Sequence, residues 1–155
     1  MGAAPVHIDL FISLTGQIFK QKPIIFVAFV IPTMPELASR SDKLNEELER
    51  VVVQLKEHFC IMRNPVPLVK NNIEYPCFYN NCLVEVTETI KNVWIPSFAT
   101  GKEGWKKKLM PYDKANQRLW EKIGFKAILI KSDFHNLCEY GKGALHCITN
   151  ELIRH

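Results

Sequence analysis

The sequence predicts a mixed α/β fold of the α+β kind, built from repeated ββαβ units. With 155 residues, 47% of them hydrophobic and 23% charged, the chain has enough apolar material for one domain with its own core. The order strand, strand, helix, strand occurs twice, and one more strand follows near the end. We therefore expect a single partial domain over residues 1–155, with units at about 7–63 and 81–131 and a third unit beginning at 145.

Two predicted strands open the first unit. Polar and apolar residues alternate over 7–14, which predicts a strand with one buried face. The residues expected on that face are Ile8, Leu10, Ile12 and Leu14. Residues 23–31 are almost all apolar and rich in β-branched side chains, which is typical of a central strand, and Pro32 is expected to end it.

A helix and a closing strand complete the first unit. Between residues 37 and 59 the apolar side chains recur at helical spacing, and Ser41 or Asp42 is in place to cap the start of this helix. Residues 60–63 form a short extended piece. Pro65 and Pro67 then predict a polar loop.

The second unit repeats this order. Residues 81–87 and 92–96 are predicted strands. After a loop rich in glycine and lysine, apolar residues at helical spacing between 112 and 123 predict a helix, with Gly124 as its C-terminal cap. Residues 125–131 are the predicted closing strand.

Composition narrows the classes of function. The longest apolar run, residues 24–31, is far shorter than the roughly 20 residues of a membrane-spanning helix, and the first residues do not resemble a signal peptide. Five cysteines at irregular spacing do not indicate a disulfide framework or a zinc site. The net charge is only +4, and the short cluster Lys106, Lys107 and Lys108 is predicted to be a solvated loop rather than a nucleic-acid site. We therefore expect a cytoplasmic protein that binds neither membrane nor nucleic acid.

Four residues near predicted strand starts have the chemistry of a catalytic site. On a strand, His7 and Asp9 would point to the same face. Cys147 lies near the start of a strand predicted over 145–152, and Asn81 lies at the corresponding place in the second unit. Each of these residues alone is more often structural than functional. Units arranged around a pseudo-symmetry axis would bring them together, and a thiol, an imidazole and a carboxylate suit nucleophilic attack on a cationic substrate.

The motifs resemble those of agmatine deiminases and bacterial-type peptidylarginine deiminases. The segment GALHCITNEL at 143–152 is similar to the nucleophile motif of that family, and HID at 7–9 is similar to its G-H-x-D motif. Between them, RNPVP at 63–67, the segment at 79–81 and VWIPSF at 93–98 follow the order of the family. The resemblance covers nearly the whole chain.

This resemblance implies the pentein fold, in which five ββαβ units surround an axis as an α/β propeller, and chemistry on a guanidino group. Cys147 would attack the guanidinium carbon, Asp9 would bind two guanidinium nitrogens, and His7 would act first as acid and then as base. The substrate would be agmatine, arginine or peptidyl-arginine, with no metal or organic cofactor.

The resemblance gives supporting roles to three further residues. Asn81 and Gly143 would help to bind the substrate, Gly143 by allowing the backbone to approach it closely. Because neighbouring residues alternate along a strand, His146 is expected to point away from Cys147 and to be structural.

Departures from the family leave three alternatives open. No segment before His7 supplies the W-x-R-D motif with its second guanidinium-binding carboxylate. Two units and one strand do not close a ring of five, so sheet edges would stay open. The chain is therefore a fragment lacking an N-terminal half, a member of an assembly such as a homo-oligomer, or a reduced, non-catalytic module that binds a guanidino ligand or a protein partner.

Overall fold

The computed structural model describes residues 7–101, 103–141 and 143–149 and shows the predicted ββαβ architecture. The first unit consists of β1 (Ile12–Phe19), β2 (Lys22–Pro32), α1 (Ala38–Leu55) and β3 (Cys60–Lys70). A short strand, β4 (Glu74–Pro76), precedes the second unit, which consists of β5 (Leu83–Val86), β6 (Lys91–Ser97), α2 (Glu103–Lys122) and β7 (Lys126–Lys131). The short helix α3 (Phe134–Asn136) and a π-helical turn (Leu137–Gly141) lead to a single 3-10 turn at His146–Ile148.

Both units have the same strand pairing. β1 is antiparallel to β2, and β2 is parallel to β3. In the second unit β5 is antiparallel to β6, and β6 is parallel to β7. The helix of each unit connects its two parallel strands. The α+β class and the ββαβ repeat are thereby confirmed, while the bounds of the whole domain stay a prediction.

The core lies along β2 and β6 and is shared by the two units. Val27 and Val93, one on each strand, are fully buried. Trp120 of α2 packs edge-on against Phe26 of β2, with the ring centres 4.8 Å apart. The apolar segment predicted as a central strand is therefore confirmed, because β2 lies between β1 and β3 in its sheet. Among the described residues, no helix is both long and apolar enough to cross a bilayer.

A buried carboxylate connects α2 to the end of β6. Asp113 is 3% exposed and accepts hydrogen bonds from the hydroxyls of Tyr79 and Ser97, both at 2.5 Å. It also accepts from the backbone N–H groups of Phe98 and Ala99, at 3.0 and 3.2 Å. Burial raises the pKa of the Tyr79 phenol well above its ordinary value, so the phenol stays a donor to this carboxylate.

The prediction for residues 7–14 is wrong in its start and correct only in part for the buried face: Leu10 is 3% exposed and Ile12 is partly buried, as expected, whereas Ile8 is 70% exposed. Residues Ile8–Leu10 form a 3-10 turn, and β1 begins only at Ile12. The side chains that β1 buries are Ser13 and Thr15, which bond to the carbonyls of Asn80 and Ile24. Leu14 is 68% exposed. Two satisfied hydroxyls replace the expected apolar face because each finds a backbone acceptor inside the fold.

The start of α1 also differs from the prediction. The helix begins at Ala38, directly after a 3-10 turn at Pro35–Leu37, with no capping bond from a side chain. Ser41 is inside the helix and buried, and its hydroxyl donates to the carbonyl of Val30 at 2.8 Å. Its role is to attach the helix to β2 rather than to cap it.

The polar loop predicted at Pro65 and Pro67 is instead the continuation of β3. Both residues are in register with β2, opposite Phe29 and Ile31. The carbonyls of the two prolines face away from β2, because Pro65 accepts from the Asn116 amide and Pro67 from the Cys77 N–H. The missing proline N–H groups lie on that same side of the strand, so no hydrogen bond of the ladder with β2 is lost.

α2 starts earlier than predicted and ends where predicted. Lys106, Lys107 and Lys108 are helical, so the loop expected there is wrong, although their side chains are exposed. Gly124 has a φ of +90° and its N–H donates to the carbonyl of Glu121, while the next N–H donates to that of Trp120. This geometry is the C-terminal cap that the sequence indicated.

Candidate active site

The side chain of Asn81 lies at the centre of the candidate site. It is fully buried, and its Nδ2 donates to Oδ2 of Asp9 at 2.6 Å. Its Oδ1 accepts from the backbone N–H groups of Ala144 and Cys147, at 2.9 and 3.1 Å. One carboxamide therefore joins the start of the first unit to the segment that carries the predicted nucleophile.

Asn81 reaches this position because it is not in a strand. The strand predicted over 81–87 is shorter in the structure, where it is β5. Asn81 lies in the turn before β5, and its backbone N–H donates to the carbonyl of Phe78. Its own carbonyl accepts from the N–H of His146 at 3.2 Å. Backbone and side chain of one residue thus hold the same short segment.

Cys147 and Gly143 are in close contact. Cys147 is on the 3-10 turn and is the exposed cysteine, whereas Gly143 is buried. A Cβ atom added to Gly143 would lie 2.5 Å from Sγ of Cys147 and 2.7 Å from its Cβ. Only glycine leaves the thiol its present position.

We expect Cys147 to be alkylated about tenfold more slowly in the Gly143→Ala variant than in the wild type, because the added methyl group occupies the space of the sulfur atom. Gly141→Ala is a matched control, since a Cβ there meets nothing within 4 Å. Intact-mass kinetics with a small alkylating reagent measure both. Equal rates for the two variants would contradict this account of Gly143.

The strand predicted over 145–152 is wrong for its described part. Residues His146–Ile148 form a 3-10 turn, and residues 150–152 lie outside the described part of the chain. Alternation therefore does not apply, and His146 does not point away from the site. Its Nδ1 lies 2.9 Å from Oδ2 of Asp9.

His7 and Asp9 do not lie side by side as predicted, because the turn at Ile8–Leu10 replaces the strand. The His7 carbonyl closes this turn by accepting from the Leu10 N–H at 3.1 Å. Within the described residues the exposed His7 side chain takes no part in the hydrogen bonds that join Asp9, Asn81 and the turn of Cys147. Of the predicted residues, the structure brings together Asp9, Asn81, Gly143 and Cys147.

The segment before Gly143 is anchored by residues that the sequence did not single out. The buried Glu139 accepts from the backbone N–H groups of Asn72 and Ile73, which fixes the π-helical turn to the β3–β4 connection. The thiol of Cys138 donates to the carbonyl of Gly143 at 3.2 Å, and burial raises the pKa of this thiol to about 12. No spacing pattern in the sequence reveals the contacts of Glu139, since they join residues more than 60 positions apart in the chain.

The site is open to solvent on the side of Asp9 and His146, whose side chains are 34% and 55% exposed. Within residues 7–101, 103–141 and 143–149, no group of three or more His, Cys, Asp or Glu side chains is placed to hold a metal ion. The arrangement offers an exposed thiol on a turn whose backbone is joined, through one buried amide, to a carboxylate.

Comparison with solved structures identifies the architecture as the pentein fold. Two of the structures to which the chain is similar are an agmatine deiminase from C. jejuni and a cysteine-to-serine variant of C. jejuni agmatine deiminase with substrate bound. Both matches have a TM-score of 0.50 and 17% identity, and they cover 91% and 90% of this chain. The chain spans 36% and 35% of those two chains. At this identity the likeness shows the fold alone. No protein-family model and no curated protein matches the sequence.

Proposed function

We propose that this chain carries part of the active site of a deiminase-type hydrolase that acts on a guanidino group. The observation that supports this most directly is the carboxamide of Asn81, which bonds Asp9 on one side and the backbone of Cys147 on the other. A carboxylate and a thiol held by one rigid group can bind a planar cation and attack it. The candidate substrates are agmatine, arginine and peptidyl-arginine.

In the proposed reaction the Cys147 thiolate adds to the guanidinium carbon while Asp9 binds two guanidinium nitrogens. The tetrahedral adduct expels ammonia, which takes a proton from His7, and a thiouronium remains on the sulfur. His7 then removes a proton from water as the water adds to the same carbon. The carbon–sulfur bond then breaks as the new hydroxyl loses its proton to solvent, where the released ammonia takes it up as ammonium; this restores the thiolate and releases the ureido product.

The role of His7 requires a movement, because its side chain is exposed and apart from the hydrogen bonds of the site. A change in the conformation of His7, which directly precedes the turn that carries Asp9, is therefore part of this proposal. The roles of Asn81 and Gly143 in this proposal are to hold the backbone of Cys147 and to leave space for its sulfur.

The position of His7 also favours the second candidate function, a non-catalytic module that binds a guanidino ligand or a protein partner. If no general acid is in position to protonate the leaving ammonia, a carboxylate that binds the cation gives binding but no turnover. Calorimetry with agmatine and arginine, combined with an ammonia assay, separates the two functions: heat without ammonia supports the module.

We propose intact-mass labelling with 2-chloroacetamidine, a cationic amidine with an electrophilic carbon, as the test of the site. One adduct is expected, on Cys147, and the Asp9→Asn variant is expected to react about tenfold more slowly because a charge-assisted contact is lost. Buried Cys82 and Cys138 should not react, since burial raises the pKa of each to about 12.

Cys60→Ala is the matched control, because Cys60 is partly exposed and on β3, away from the turn that carries Cys147. Its adduct count and rate should equal those of the wild type, whereas Cys147→Ala should take up no label. Slow labelling spread over several cysteines, insensitive to the replacement of Asp9, would refute the proposed site.

The matched solved structures are longer than this chain, so we propose that a further guanidinium-binding carboxylate comes from additional polypeptide or from a second copy of the chain. A cytoplasmic location and the lack of nucleic-acid binding remain part of the proposal. Size-exclusion chromatography with light scattering tests the self-association.

A further inference from the structure

Two side chains are hydrogen-bonded to the Oδ2 atom of Asp9. Within the described residues, Asn81 Nδ2 lies 2.6 Å from this atom and His146 Nδ1 lies 2.9 Å from it. A carboxylate offers about four acceptor positions, two on each oxygen. The two donors therefore fill the acceptor positions of Oδ2.

A guanidinium group that binds Asp9 through two parallel N–H bonds needs one acceptor position on each carboxylate oxygen. One of the two present donors must leave before Oδ2 can accept from the ligand. This conclusion rests on the function proposed above, in which Asp9 is the group that binds the guanidinium.

Asn81 is poorly suited to leave. It is fully buried, and its carboxamide also accepts from the N–H groups of Ala144 and Cys147, so turning it breaks three hydrogen bonds at once. His146 is on an exposed turn, and its side chain is 55% exposed. Rotation of the imidazole into water breaks one contact and leaves no buried group without a partner.

We propose that His146 is a specificity-determining residue that occupies the guanidinium position on Asp9 and is displaced when the ligand binds. The imidazole donates from Nδ1 to the oxygen that the ligand needs, so it competes with every cation that binds Asp9. The binding of a neutral ligand that does not contact Asp9 is unaffected by the displacement of His146.

The test compares two reagents of nearly the same shape, the cation 2-chloroacetamidine and the neutral 2-chloroacetamide, at Cys147. The ratio of the amidine rate constant to the amide rate constant measures how strongly Asp9 favours a cation. Because both reagents react with the same thiol, a change in the reactivity of that thiol cancels in the ratio. Because the contact of His146 with Asp9 is exposed to solvent, we expect its loss to raise this ratio only roughly two- to fivefold in His146→Ala. His146→Gln, which keeps a neutral donor, should give an intermediate ratio.

Two controls make the result specific. Ile148→Ala removes another exposed side chain from the same turn and should leave the ratio unchanged. In an Asp9→Asn background the effect of His146→Ala should disappear, because the competition depends on the carboxylate.

The outcomes separate this inference from the proposed function. A wild-type ratio that favours the amidine and depends on Asp9, together with an unchanged or lower ratio in His146→Ala, overturns the displacement of His146 and leaves the proposed function standing. An increase that persists with Asp9→Asn also overturns it. A wild-type ratio near one that Asp9→Asn does not alter overturns both.

Discussion

Replacing Asn81 with leucine is expected to slow the labelling of Cys147 by 2-chloroacetamidine about 100-fold. The change removes the bond to Asp9 and leaves the buried N–H of Ala144 without its acceptor. It also frees the N–H of Cys147 from its bond to the carboxamide. Each unpaired buried group costs about 1–3 kcal/mol, and relief of that cost requires the turn of Cys147 to move.

The Asn81→Asp variant separates the two roles of this side chain, which are to accept from the N–H groups of Ala144 and Cys147 and to donate to Asp9. It keeps an acceptor for the N–H groups of Ala144 and Cys147 but places a second carboxylate against Asp9. We expect the ratio of amidine to amide labelling to change while the rate with the neutral amide stays close to that of the wild type. If Asn81→Leu labels at the wild-type rate, Asn81 does not organise the site.

Replacing Asp113 with alanine is expected to lower the free energy of unfolding by about 3–5 kcal/mol, the largest effect on stability that we predict. The carboxylate accepts four hydrogen bonds in a position that is 3% exposed. Its loss leaves the hydroxyls of Tyr79 and Ser97 and the N–H groups of Phe98 and Ala99 without this acceptor. Chemical denaturation followed by circular dichroism measures the change.

Lys114→Ala is the matched control for Asp113, because it changes the next residue of the same helix at an exposed position. Its effect should stay within about 0.5 kcal/mol. Asp113→Asn, which keeps one acceptor oxygen, should fall between the two. A loss below 1 kcal/mol for Asp113→Ala would show that the network is replaced by water or by rearrangement.

The elements that the sequence predicted well are those in which one strong local signal decides the structure. The apolar run at 23–31 became β2, and the glycine at position 124 ends α2 with a positive φ. The apolar stripes of both helices cover the core, because an amphipathic helix has one way to bury its stripe. The repeated strand order then fixed the α+β class.

The wrong predictions concern segments whose local structure is determined by residues distant in the sequence. Ser13 and Thr15 are buried because backbone carbonyls of Asn80, in a turn, and Ile24, on β2, accept from their hydroxyls, and no local pattern reveals those acceptors. The predicted alternation therefore fails within β1, where Leu14 is exposed and its two neighbours are buried. Pro65 and Pro67 were read as loop residues because the side of β3 on which they lack an N–H depends on the neighbouring strand.

For the candidate site, the residue types were predictable and the geometry was not. Motif resemblance points to five residues, and four of them lie together: Asp9, Asn81, Gly143 and Cys147. The fifth, His7, is exposed and takes no part in the hydrogen bonds that join the others. The contact of His146 with Asp9 was missed, because strand alternation was assumed where the chain forms a 3-10 turn. Whether these residues perform catalysis stays a prediction for the labelling experiments.

The two prolines of β3 also determine how neighbouring units can associate. On their outer side Pro65 and Pro67 offer carbonyls but no N–H groups, and β4 pairs with β3 only beyond them, from Leu68 to Lys70. The second unit is attached there through a side chain of its helix, the amide of Asn116, and its strands form a separate sheet. Because both outward carbonyls already have partners inside the chain and the prolines bring no N–H group, this stretch of β3 leaves no backbone donor or acceptor for pairing with a strand of another molecule.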